Sequence, residues 1–150
     1  MAVTSKIEGV ERIVTNLNKK IGSIEGASRE GLWAGGLVIQ GEAMRRVPVE
    51  YGNLRGSAYT RNARKIEIEK REYAPKKSLT DQDVVEVGFG AAYAIYIHEN
   101  LEMKLAGKKR PSGLGVYWGP SGEPKFLENA VRAKQREILA RVAQYARSGI

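Results

Sequence analysis

The stretch VPVEYGNLRGSAYTR, residues 47–61, separates a helical part of the chain from a sheet-forming part. Val47 precedes Pro48, and a residue before proline is biased away from helical backbone, so an upstream helix should end near Arg46. Gly52 and Asn53 predict a turn, and LRGSAYTR then starts a sheet. The alternation assigns two faces to this strand: Leu54, Ala58 and Thr60 on one, and Arg55, Ser57, Tyr59 and Arg61 on the other.

The region before this stretch is predicted to be helical from its N-terminal end. Ser5 and Glu8 fit a capping box, and apolar residues follow at spacings of three and four. They are Ile7, Val10, Val14, Leu17, Ile21 and Ile24. The same spacing is that of a heptad seam, but it is too short to argue for a coiled coil. We therefore expect this helix to pack on its own domain.

A second helix is predicted over residues 28–46, and it contains many glycines. Gly31, Gly35, Gly36 and Gly41 lie among its apolar residues, and each glycine costs about 1 kcal/mol relative to alanine in a helix. Two interpretations remain open. Either the helix is broken, or another backbone approaches it closely.

The second half of the chain mixes strands, loops and a final helix. Residues 64–72 alternate, with Ile66 and Ile68 on the inner face, and residues 83–90 form another strand; the polar segment between them is interpreted as a long hairpin loop. AAYAIYIHEN, residues 91–100, fits a buried strand or a short helix. Residues 100–124 form a long irregular segment rich in glycine and proline. Pro124 suits a first helical position, and the final helix should run to about residue 146.

Length and charge favour a single basic domain. The chain has 150 residues, enough for one domain spanning 1–150, and no cysteine, which suits a reducing compartment. The formal net charge is +8, from 25 Lys plus Arg against 17 Asp plus Glu, and such an excess attracts polyanions. Solubility alone explains the charge equally well. No stretch approaches the ~18 apolar residues of a membrane span, so we expect no membrane partner.

The sequence contains no recognisable catalytic or metal-binding motif. His98 is the only histidine and has no nucleophile motif beside it, so we assign it a structural or surface role. Asp81, Asp83 and Glu86 lack the spacing of a calcium loop and are assigned to a turn and a strand. Dinucleotide and Walker A fingerprints are absent. We therefore expect neither catalysis, nor a metal, nor a cofactor.

The candidate contact residues are mostly basic. Lysines and arginines in loops can touch phosphates without reading sequence, and an aromatic pair can stack on bases or anchor an interface. The candidates are Arg55, Tyr59, Arg61, Lys76, Lys77, Lys104, Lys108, Lys109, Arg110, Tyr117 and Trp118.

Three stretches in this order resemble the tail-component family of tailed bacteriophages, the neck or tail-completion proteins that join head to tail. They are VPVEYGNLRGS at 47–57, YAIYIHEN at 93–100 and PKFLENAV at 124–131. The chain departs from the family pattern at Asn100, where glycine is frequent, and in the long basic loop that follows.

The resemblance implies an α+β fold, in which an N-terminal helical region and a long C-terminal helix pack against a small, mainly antiparallel sheet. It also implies a virion protein, assembled in the host cytoplasm, without enzyme activity. Six or twelve copies would form a ring around the DNA channel, in contact with other neck, connector and tail proteins. We expect loops 72–83 and 100–123 to make the contacts between subunits. The alternative is a free, sequence-independent nucleic-acid-binding protein.

Overall fold

The computed structural model describes residues 10–49, 52–101 and 122–150. Its helices are α1 (Val10–Arg46), α2 (Asn53–Gly56), α3 (Ala94–Glu99) and α4 (Phe126–Ser148). Its strands are β1 (Ala58–Arg61), β2 (Ile66–Ile68) and β3 (Glu86–Phe89), and a 3₁₀ turn covers Arg71–Tyr73. The α+β class is confirmed: a long N-terminal helix and a C-terminal helix accompany a small antiparallel sheet.

The prediction of two separate helices was wrong: a single helix, α1, is continuous over 37 residues, and it ends at Arg46 as predicted. Of the two interpretations of its glycines, the close approach is confirmed. A Cβ on Gly31 would lie 3.1 Å from the Cα of Val142 and 2.9 Å from the Cβ of Tyr145, both on α4. Only a residue without a side chain allows α4 to approach α1 this closely.

The helix α4 runs antiparallel to α1, because its two ends contact opposite parts of α1. Gly149, just after α4, lies against Ser23 and Ile24, whereas Phe126 at the start of α4 packs near Val47. The prediction that α4 starts at Pro124 was wrong by two residues. Lys125 adopts a left-handed φ of 55° immediately before the helix, which therefore begins at Phe126.

The sheet has the order β2-β1-β3, and both pairings are antiparallel. The prediction that residues 64–72 and 83–90 form a hairpin was wrong, because β1 lies between β2 and β3. The segment joining them crosses from one sheet edge to the other. The start of the first strand was also misplaced: Asn53–Gly56 is a helical turn, and the strand begins at Ala58.

A buried hydrogen bond attaches the sheet to α1, and a buried apolar cluster attaches the short helix α3 to α1 and α4. Thr60 of β1 is buried, and its hydroxyl donates a hydrogen bond of 2.7 Å to the Oε1 atom of Gln40 on α1. At the C-terminal end of α1, Phe126 is the centre of a buried cluster and is only 1% exposed. The other buried members of this cluster are Val47, Leu54, Ala91 and Ala94. AAYAIYIHEN, left open by the sequence, therefore contains a short helix that packs on this core through Ala94.

Candidate interaction surfaces

A groove lined by basic side chains lies at one end of the sheet. It is formed by the turn after β1 and by residues 75–79 of the segment that crosses the sheet, and it has a volume of about 270 Å³. We call it the basic groove. Five basic residues line it: Arg61, Arg64, Lys65, Lys76 and Lys77. None of the described residues that line it is acidic, so the groove should attract an anionic partner.

The turn that forms one side of the basic groove is fixed by Asn62. The Oδ1 atom of Asn62 accepts hydrogen bonds from the backbone amides of Arg64 (2.9 Å) and Lys65 (2.8 Å). This is the local hydrogen bonding by which asparagine stabilises turns. The Lys65 ammonium lies 4.4 Å from the centre of the Trp33 ring and pairs with Glu30 at 3.1 Å. The groove therefore has a defined backbone on this side.

Arg61 is held within the chain rather than presented to solvent. Its side chain is 12% exposed, and its guanidinium pairs with Glu86 at 2.9 Å. It also donates a hydrogen bond to the backbone carbonyl of Lys77, which ties the crossing segment to β1. The Tyr59 hydroxyl donates to the same carboxylate at 2.5 Å. Two candidate contact residues, Arg61 and Tyr59, thus belong to an intrachain network centred on Glu86.

This network shifts two pKa values in ways that follow from its geometry. The Arg61 guanidinium, and then the Tyr59 hydroxyl, hold the pKa of Glu86 below its usual range, because both donate hydrogen bonds to the charged carboxylate. Partial burial, and then the hydrogen bond to Glu86, raise the pKa of Tyr59 to about 12. At neutral pH the three groups are therefore a cation, an anion and a neutral phenol.

The remaining candidate contact residues are distributed differently. Lys76 and Lys77 are exposed in the basic groove, and within the described ranges neither forms an ion pair. Arg55 is exposed too, but it precedes β1, whereas the groove lies at the far end of that strand. The other six candidates lie outside the described residues: Lys104, Lys108, Lys109, Arg110, Tyr117 and Trp118.

His98 lines a pocket of about 170 Å³ between α3 and the start of α4. Its ring packs edge-on against Phe126, with ring centres 5.0 Å apart, and its Nδ1 atom lies 2.8 Å from Oε1 of Glu99. Glu99 also pairs with Lys125, which lowers the pKa of its carboxyl group. The residues described around this pocket include no hydroxyl or thiol, so His98 has no nucleophile there to activate. Its Nε2 atom is buried and has no hydrogen-bond partner among the described residues.

Sequence reasoning missed a patch of exposed apolar side chains on and beside α3. Ile95 is 77% exposed and Tyr96 is 69% exposed, and Leu101 just beyond the helix is similarly open. Helical periodicity was the available signal, because Ala94 and Ile97 occupy the buried side and leave Ile95 and Tyr96 on the other. We call Ile95, Tyr96 and Leu101 the α3 patch. Large apolar side chains exposed this close together in the chain are candidates for contacts with other molecules.

The prediction that the N-terminal apolar stripe packs on its own domain was wrong over its first three turns. Val10, Val14, Leu17 and Ile21 are exposed, and the described part of the chain supplies nothing to cover them. Burial begins near Ile24, where the end of α4 lies. Ile7, the stripe member before Val10, and the capping pair Ser5 and Glu8 lie outside the described residues.

Comparisons with known proteins supply no identity for the chain: no family model, no curated protein and no solved structure matches it. Within the described ranges, no group of three or more acidic, histidine or cysteine side chains is arranged to hold a metal ion. None of the helices described here combines the length and the apolar character needed to cross a membrane.

Proposed function

We propose that the chain is a non-enzymatic structural subunit of a tailed bacteriophage, part of a ring in the neck that joins the head to the tail around the DNA channel. The proposal starts from the resemblance of three short stretches to the tail-component family. It is supported by how those stretches pack. It is also supported by surfaces that a monomer leaves unexplained.

The observation that carries the proposal is that the three resembling stretches meet in one core. Leu54 comes from the first stretch, Ala94 from the second and Phe126 from the third, and all three are buried in the same cluster. The backbone amide of Lys125 also donates to the carbonyl of His98 at 2.8 Å, which joins the second stretch to the third. Sequence signals scattered over the chain therefore specify one structural unit.

The exposed surfaces fit a subunit that works in an assembly. The α3 patch lies next to this core, so a neighbouring protein could dock on it without disturbing the fold. The basic groove lies at the end of β1 remote from that core, since Leu54 and Ala58 precede Arg61 on the way to it. A ring subunit needs such separate surfaces, because each copy presents one face to the next and another to its axis or to adjacent layers.

A genetic experiment tests this function. In the phage genome that encodes the chain, loss of the gene should yield DNA-filled heads and separate tails, which electron microscopy counts directly. Tyr96→Lys in the α3 patch should reproduce the defect by placing a charge in an apolar contact. Ala133→Lys, on the exposed side of α4, is the matched control and should leave particles joined. Infectious, tailed particles made without the gene would refute the proposal.

Free, sequence-independent nucleic-acid binding is the second candidate, and the basic groove favours it. Two exposed lysines there, Lys76 and Lys77, are available to phosphates. Titration of the purified protein with random duplex DNA at several salt concentrations separates the two accounts. If the logarithm of the affinity falls with the logarithm of the salt concentration at about −0.9 per phosphate engaged, over several phosphates, free binding becomes the leading function. Negligible binding near physiological salt leaves the ring proposal in place.

A further inference from the structure

The first three turns of α1 extend past the end of α4. The segment from Val10 to Gly22 is about 20 Å long at ~1.5 Å per residue, and we call it the overhang. Its apolar stripe consists of Val10, Val14, Leu17 and Ile21; Leu17, in the middle, is 55% exposed. An apolar stripe of this length on a helix is a surface that normally packs against something.

The stripe of the overhang continues the face of α1 that α4 covers. Successive helical spacings of three and four residues lead from Ile21 to Gly31, where α4 lies. The cover stops because α4 ends at Ser148, with Gly149 against Ser23. A helix that took over from α4 and ran in the same direction would complete the seam.

Residues 102–121, which lie outside the described residues, are too few to reach the N-terminal part of this stripe. Residues 102–121 begin just after α3 and end beside Arg46, whose carbonyl accepts a hydrogen bond from Glu123 at 3.0 Å. Twenty or so residues that go out and return span at most ~35 Å. Along α1, Leu17 lies about 44 Å from Arg46. Residues 102–121 therefore do not cover Leu17, whereas a second molecule can.

We propose that the overhang pairs in antiparallel orientation with the overhang of a second copy of this chain. In the proposed register, the residue numbers of two facing residues add up to about 31. In this register Val10 faces Ile21 of the second copy, and Val14 faces Leu17. Each stripe residue thus meets another stripe residue, as in the alternating layers of an antiparallel helix pair. The second overhang runs in the direction of α4 and occupies the space beyond its end.

The flanking residues are compatible with this register. Beside the seam, Glu11 comes next to Asn18 of the second copy, and Lys20 comes next to Ile13. No like charges face each other, and the aliphatic stem of Lys20 can cover the Ile13 side chain. Arg12 and Lys19 point away from the seam, on the outer side of the helix.

The position of α4 distinguishes antiparallel from parallel pairing. In a parallel pair, the second α1 would continue along the first past Ile24, into the space that α4 occupies against Gly31 and Gly35. In the antiparallel pair, the second molecule lies beyond the first molecule's overhang and meets no such obstacle. The contact is isologous and closes on two copies, so it differs from a ring contact and stands independently of the proposed function.

Disulfide cross-linking tests the register, because the chain has no cysteine of its own. Full-length Val10→Cys and Ile21→Cys variants are purified separately, then oxidised alone and as a mixture. The mixture should give a cross-linked heterodimer, whereas each variant alone should not. In the proposed register, like positions are about 16 Å apart along the seam, too far for a disulfide. Cross-linking of either variant with itself would indicate parallel pairing and overturn the proposal.

Light scattering during size exclusion tests the pairing itself. A seam this short predicts a weak dimer, roughly micromolar. Leu17→Lys should raise the dissociation constant on the order of a hundredfold, while Asn16→Lys, one residue off the stripe, adds the same charge and should leave it nearly unchanged. Wild-type protein that is monomeric up to ~1 mM would refute the proposal. So would a dimer that forms only when residues 1–9 are deleted, since the stripe would then be covered within the chain.

Discussion

The two ends of α1 lie along one continuous helical face but have very different surroundings. Its C-terminal half carries Gly31 and Gly35 against α4 and Gln40 against the sheet, while the overhang exposes Leu17 and Ile21. Amphipathic spacing therefore predicts that a face will be covered, but not by which molecule. The half with glycines is covered within the chain, because small residues allow a second backbone to approach.

The largest contrast between the two ends should appear in stability. Phe126→Ala empties the centre of the core beside the C-terminal end of α1 and should lower the free energy of unfolding by about 3–5 kcal/mol. Leu17→Ala in the overhang should change it by no more than ~0.5 kcal/mol in dilute, monomeric protein. Denaturant titrations of both variants measure the difference. Equal losses would mean that the overhang is buried within the monomer.

Gln40→Ala should give the next largest effect. Its amide donates a 3.1 Å hydrogen bond to the carbonyl of Ala58 and accepts one from Thr60, all at buried positions. Removing a buried partner leaves polar groups unsatisfied, at about 1–3 kcal/mol. Asn16→Ala on the exposed half is the control and should be nearly neutral. A neutral Gln40→Ala would contradict the assigned role of this contact, as measured by chemical unfolding.

Glycine-to-alanine changes sharpen the comparison further, because positions of α1 that α4 covers and positions that it leaves open should respond with opposite signs. At Gly31, a methyl group meets α4 at 2.9–3.2 Å, so overpacking of ~1–3 kcal/mol should exceed the gain in helix propensity. At Gly26, nothing lies within 4 Å of the added carbon, and the variant should gain about 0.5–1 kcal/mol. Thermal unfolding of the two variants gives the signs. A stabilised Gly31→Ala would disprove the close approach.

The smallest predicted effect concerns pH and Glu86, which is remote from the overhang. Its pKa is lowered in the folded state, so its contribution to stability is complete above the pKa of the unfolded state and is lost as the pH falls through the folded value. Glu86→Gln should reduce this loss of unfolding free energy at acidic pH, as measured by unfolding curves recorded at successive pH values. Identical losses for wild type and Glu86→Gln would exclude the linkage.

Local features were predictable from the sequence, and features that depend on distant pairing were not. Pro48 correctly marked the end of α1, and the alternation of Ile66 and Ile68 marked β2. The order of the strands was missed, because nothing local shows that β1 pairs with β3 as well as with β2. The start of α4 was missed because a left-handed residue, Lys125, intervenes after Pro124.

The candidate contact residues show the same division. The sequence identified Arg61 and Tyr59 as polar residues on one strand face, but their shared partner, Glu86, comes from β3. Such a network depends on the register in which β1 and β3 pair, which composition does not record. The sequence also signalled Lys76 and Lys77 individually. That they lie across a groove from the turn after β1 follows only from the crossing of the sheet.

The glycines at the boundary of the overhang give α1 a gradient of local opening along its length. Gly22 and Gly26 flank the point where α4 stops, and a Cβ added at either would have no other atom within 4 Å outside the helix itself. Helical segments of about 12–15 residues are marginal in water on their own, so the overhang unwinds far more often than the part of α1 under α4. Backbone amides should therefore exchange with solvent rapidly before Gly22 and slowly beyond Gly31. A partner bound to the overhang would slow the exchange of the amides before Gly22 and leave the exchange beyond Gly31 unchanged.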